Sequence, residues 1–167
     1  IIDPKWDLGD TLIFDVDNAK KIMRLGYLDA MKSFGIFDGN YYTFAKDTFS
    51  KTEMKMADAC AKLFDLNPQF IYTKEFLIKA LAKAIEQSSD DLEETITKFK
   101  HIRSNFLTFN DIVKTVKDTE KSHIVCILIA QNIKEKGKDS IFVKKAATKL
   151  IPDLVHAARF LVKNNLI

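Results

Sequence analysis

Three histidines, two cysteines and a group of four neighbouring carboxylates are the residues of this 167-residue chain whose chemistry invites a site. His101, His123 and His156 fall on separate helical patterns, without the H-E-x-x-H spacing that sets two imidazoles over one zinc ion. A histidine alone on a helix is ordinarily a core or surface residue, so no metal ligand is expected among them. Cys60 and Cys126 lie inside apolar helical stretches, with no C-x-x-C pairing and no histidine at a ligand-like offset. They read as buried free thiols, which fits a reducing, cytoplasmic setting. Asp90, Asp91, Glu93 and Glu94 supply paired carboxylates, but acids at the start of a helix complement its dipole, and that role is the expected one.

Hydrolysis through a covalent acyl intermediate needs an activated Ser or Cys, a base and donors for the oxyanion. No G-x-S-x-G elbow occurs. No two glycines fall within three residues of each other, which leaves no Gly-rich phosphate loop. Basic and aromatic residues interleave at Phe99, Lys100, His101 and Arg103 and again from Phe106 to Phe109. Nucleic acid can stack on such a pattern, but on an amphipathic helix these rings belong in the core, and nucleic-acid binding is not expected. The residues therefore predict no catalytic group, no cofactor and no metal site.

Helices are the elements that would position any surface of this chain. Apolar residues make up 47% of it and charged residues 29%, an ordinary globular balance, while only five Gly and three Pro interrupt it. We expect a mainly α fold, an irregular bundle of about six or seven helices, with room for one short strand pair in the N-terminal third. Residues 1–14 read as an extended and then irregular lead-in, and residues 15–167 as the helical domain.

Asp15 or Asp17 is the expected N-cap of a first helix with Ala19, Ile22, Met23, Gly26, Met31 and Phe34 at helical spacing, stopped by Gly35. Asp38-Gly39 is a turn, and Tyr41 to Phe44 a short strand or an aromatic clasp. Ser50-Lys51-Thr52-Glu53 is a capping box for a helix to about Leu66, facing Met56, Ala59, Cys60, Leu63 and Phe64 inward. Thr73 caps the next, with Phe76, Leu77, Ala80, Leu81 and Ala84 inward. Further helices are expected over Leu92–Ile102, from Thr108 through Ile133, from Asp139 or Ser140 through Leu150, and from Pro152 onward. The last carries Leu154, Val155, Ala158, Leu161 and Val162; burial in the bundle and docking at a lipid interface both suit it, and burial is the expectation.

Net charge is +3, unevenly spread: from Lys114 to the end there are eleven Lys or Arg against five Asp or Glu. Such a third can attract an anionic partner such as a membrane surface or nucleic acid, but lysines on solvated helix faces are the expected reading.

The stretch from Leu8 to Phe44, LGDTLIFDVDNAKKIMRLGYLDAMKSFGIFDGNYYTF, resembles the segment that follows the catalytic core in bacterial patatin-like phospholipases. The correspondence rests on Ile1-Ile2-Asp3-Pro4 as a closing extended segment, then Leu8-Gly9 with Phe14, then Ala19-Lys20-Lys21 through Gly26-Tyr27 and Asp29. Asn67-Pro68 followed by Ile71-Tyr72-Thr73 is similar to the helical extension of clostridial-type members. The resemblance implies a C-terminal helical accessory domain of a lipid acyl hydrolase, whose partners are the upstream catalytic core and a possible lipid surface. It implies a Ser–Asp dyad upstream, and Asp38-Gly39-Asn40 is not that Asp, because it follows the matching helix. A helical protein-interaction module with a basic C-terminal surface is the alternative.

Overall fold

The computed structural model describes residues 5–6, 15–88 and 122–167. The expected helix over residues 92–102, residues 108–121 of the stretch opened at Thr108, the segment 1–4 and residues 7–14 lie outside them, as do Asp90, Asp91, Glu93, Glu94 and His101. Among the described residues there are six α-helices: α1 Val16–Ser33, α2 Lys51–Leu63, α3 Lys74–Gln87, α4 Ser122–Lys136, α5 Lys145–Leu150 and α6 Pro152–Lys163. Two 3-10 turns, Gly137–Asp139 and Ile141–Val143, join α4 to α5. Strands β1 Thr43–Phe44 and β2 Ile71–Tyr72 complete the mainly α fold.

Local chemistry sets most of these boundaries. The Asp15 carboxylate accepts from the amides of Asp17 and Asn18 and opens α1. Ser50 Oγ accepts from Glu53 N while Glu53 Oε2 accepts from Ser50 N and Oγ, a complete capping box. Thr73 Oγ1 accepts from Phe76 N and opens α3. The second helix ends at Leu63 rather than near Leu66, because Asp65 takes a left-handed conformation at φ 46° and folds the chain back. At the Asp38-Gly39 turn, Gly39 has φ 121° and a Cβ there would meet Tyr42 O at 2.0 Å.

The strands are paired in parallel, Thr43 beside Ile71 and Phe44 beside Tyr72, with α2 as the crossover. Sequence reading located the first strand but not its partner. Helix α6 lies between α2 and α4. Its Leu154, Val155, Ala157, Ala158, Phe160 and Leu161 are buried, so the last helix is a core helix. Burial on α2 runs without a break from Met56 to Ala61, and α4 is covered on nearly every side, consistent with its lack of a polar face. Lys163 of α6 pairs with Glu53 of α2 and, with Ser50, holds that carboxyl down at about 2. Both partners are solvated, so the pair orients α6 more than it stabilises it.

The structure sorts the apolar residues further than helical spacing does, and it corrects one inward assignment, Phe76, and one helix boundary. Met23 and Phe34 point to solvent, and α1 instead buries Leu25, Leu28 and Asp29. Phe76 is exposed at the start of α3, stacked on Tyr72 at 5.1 Å, while Leu77 and Leu81 fill the core. The helix expected through Leu150 is split: Ser140 caps the turn Ile141–Val143, and only Lys145–Leu150 is α-helical. Val143 and Leu150 consequently face out.

Helix α1 is fixed to the bundle by polar links as well as by two leucines. Asp29 and Lys32 form a 2.8 Å pair, both side chains largely buried. Lys32 Nζ also donates to Asn40 O, and Arg24 Nε to Gln69 O. Asp58 of α2, itself buried, accepts from the amides of Tyr41 at 3.3 Å and Tyr42 at 2.8 Å. Trp6 closes this region, donating Nε1–H to Tyr41 O and meeting the Tyr42 ring edge-on.

Candidate interaction surface

The groups singled out for chemistry do not converge among the described residues. His123 stands at the start of α4 beside the Phe64 ring, and His156 lies on α6. Burial, then the neighbouring Arg159, pushes the His156 imidazole below its ordinary value. No three His, Cys, Asp or Glu side chains among the described residues are placed to share a metal ion. Cys60 and Cys126 are both fully buried, and burial raises each thiol well above its ordinary value, the condition of an unreactive core thiol. Tyr42 and Tyr72 donate their hydroxyls to Leu66 O and Asn67 O. Burial pushes Tyr72 up to about 12, so it acts as a donor, not as a phenolate. Asp38 serves its turn: it binds Lys46 Nζ and Asp47 N, and the Lys46 bond holds its carboxyl below the usual range.

A surface stands out on α1 instead. At 3.6 residues per turn, Val16, Met23, Tyr27 and Phe34 fall within about 40° of one line along the helix. That line lies opposite the buried Leu25, Leu28 and Asp29. Met23 is 74% exposed and Phe34 70%, with Val16, Tyr27 and the following Ile36 also open to solvent. Ala19, Gly26 and Ala30 flank the stripe, and no atom lies within 4 Å of where a Gly26 Cβ would be. Helix α1 is therefore apolar on two opposite sides, one covered by its own bundle and one uncovered.

The polar surroundings keep this stripe in place. Arg24 stacks over the Tyr27 ring at 5.7 Å while bonded to Gln69 O, which braces the helix against the turn before β2. An open, shallow groove of about 490 Å³ begins beside the stripe, lined by Asp15, Asp17, Asn18, Lys20, Lys21 and Gln69. Both signs of charge line it, so it is no anion cradle.

The sequence signal for the stripe was present but merged with another. Met23 and Phe34 share one period, Ile22, Leu25 and Leu28 a second, and a single amphipathic face absorbs both when no partner is known. No helix of the described residues is long and apolar enough to cross a membrane. No family model, no curated protein and no solved structure matches the chain.

Proposed function

We propose that this chain is a non-catalytic helical accessory domain of a patatin-like lipid acyl hydrolase, docked on the enzyme's catalytic core through the outer face of α1. The observation that supports this reading is the uncovered apolar stripe of α1, which falls inside the Leu8–Phe44 stretch that carries the resemblance. A helix apolar on opposite sides is suited to lie between two bodies. The small residues Ala19, Gly26 and Ala30 beside the stripe would let a partner backbone approach closely. Acyl transfer in this reading belongs to a Ser and an Asp of the upstream core, and this chain supplies packing.

Co-expression of the upstream region with this chain tests the docking face. Met23→Asp with Phe34→Asp is expected to lower affinity for the core by on the order of a hundredfold or more, since burying each side chain is worth roughly 1.5–3 kcal/mol. Both side chains are exposed, so the thermal melt of the chain alone stays unchanged. Undiminished co-purification of the double variant would remove α1 from the interface.

A further inference from the structure

We propose that the segment from Lys136 to Leu150 is a docking surface for an anionic phospholipid bilayer. It holds five lysines against a single acid, Asp139. The lysines are exposed, and none takes part in an ion pair of the described residues. Among them Ile141 and Val143 are each 39% exposed, and Leu150 is 64% exposed. Exposed cations around partly exposed aliphatic side chains match a bilayer surface in both respects: the cations meet anionic headgroups and the aliphatic tips enter the layer beneath them.

The surface is built, not incidental. Phe142 between the two projecting residues is 2% exposed and plugs the core, which forces Ile141 and Val143 outward on either side of it. Ser140 is fully buried, donates Oγ–H to Asn132 Oδ1 at 2.8 Å and caps the turn through Phe142 N. Arg159 Nη2 of α6 donates to Phe142 O, Val143 O and Thr148 Oγ1 at 3.0–3.2 Å. One guanidinium thus holds the turn against α5 and fixes both to the core helix. A rigid platform loses little conformational freedom on docking.

Nucleic acid would meet the same lysines, but it has no use for exposed aliphatic tips. Single strands bind through stacked aromatic rings, and the aromatic ring of this segment faces inward. The proposal does not depend on docking through α1: the lipid variants lie on the turn and α5, the docking variants on α1, so either can fail alone.

Flotation of the full 167-residue chain with vesicles tests it. Binding is expected to mixed phosphatidylcholine–phosphatidylglycerol vesicles at low salt and not to phosphatidylcholine alone. Lys144→Glu, Lys145→Glu and Lys149→Glu together are expected to lower partitioning by about a hundredfold, at roughly fivefold per lysine lost. Ile141→Ser with Leu150→Ser is expected to lower it by about tenfold or more at unchanged charge. All five positions are exposed, and an unchanged circular dichroism spectrum establishes that each variant is folded. Equal binding to both vesicle types overturns the proposal. So does full binding by the serine variant, or a preference for a DNA oligonucleotide that only the lysine variant loses, which would make the lysines a phosphate-binding patch.

Discussion

Phe160→Ala is expected to lower the unfolding free energy by about 3–5 kcal/mol, a large part of what holds a domain of this size together. Phe160 is 1% exposed on α6, the helix that lies between α2 and α4, and meets Phe49 edge-on at 5.9 Å. Its neighbours on the buried face include Ala157 and Ala158, side chains too short to close a cavity of phenyl size. Burial on α2 is likewise built from small groups, Ala57, Ala59, Cys60 and Ala61, which let the two helices lie close and leave the ring as a principal filler between them. Urea unfolding followed by circular dichroism reads the loss as a lower midpoint. Leu150→Ala is the contrast, because that side chain is mostly in solvent and its truncation should change stability by no more than about 0.5 kcal/mol. Equal shifts for the two variants would contradict a central α6.

Asp58→Ala should be the second costly change, by about 2–4 kcal/mol, through a different mechanism. The carboxylate accepts the amides of Tyr41 and Tyr42, with Asn40 N also in reach, in a region closed over by Trp6. Removing it leaves buried donors without an acceptor. Asp58→Asn keeps one good acceptor oxygen and is expected to recover about half of the loss. Burial raises the Asp58 carboxyl above its ordinary value, although the Tyr42 and Tyr41 amides and the Lys32 ammonium act the other way. The sign follows: the folded state binds this proton more readily than the unfolded chain. Asp58 therefore contributes stability as pH falls through its raised value toward the unfolded value of about 3.9, and that contribution is lost as pH rises. The Asn variant should lack this component in a pH series of urea midpoints.

Caps and breakers were the most legible part of the fold. Ser50 with Glu53, Thr73 before Phe76, Asp15 before Val16 and Pro152 at the first turn of α6 each act within four residues, so the sequence contains the whole interaction. Register between distant elements was not legible. Nothing local ties Thr43 to Ile71, and the crossover through α2 emerges only when the core is assembled. The split at Ile141–Val143 was hidden because Phe142, Ala146, Ala147 and Leu150 keep a helical rhythm, while the deciding group, Arg159, lies on the next helix. Asp58 left a trace that could have been followed: it is the one charge in the run from Met56 to Ala61, and a lone acid in an apolar helix signals a buried acceptor. The outer stripe of α1 had the same status as Met31 or Ile22 in the sequence, since periodicity reports an apolar face without saying what covers it.

The coding sequence immediately upstream of Ile1 tests the central claim most directly. An accessory domain of a patatin-like hydrolase requires an in-frame G-x-S-x-G elbow there, followed by an Asp-Gly-Gly or Asp-Gly-Ala motif before residue 1. An initiator Met directly before Ile1, or an upstream domain without the elbow, would contradict it.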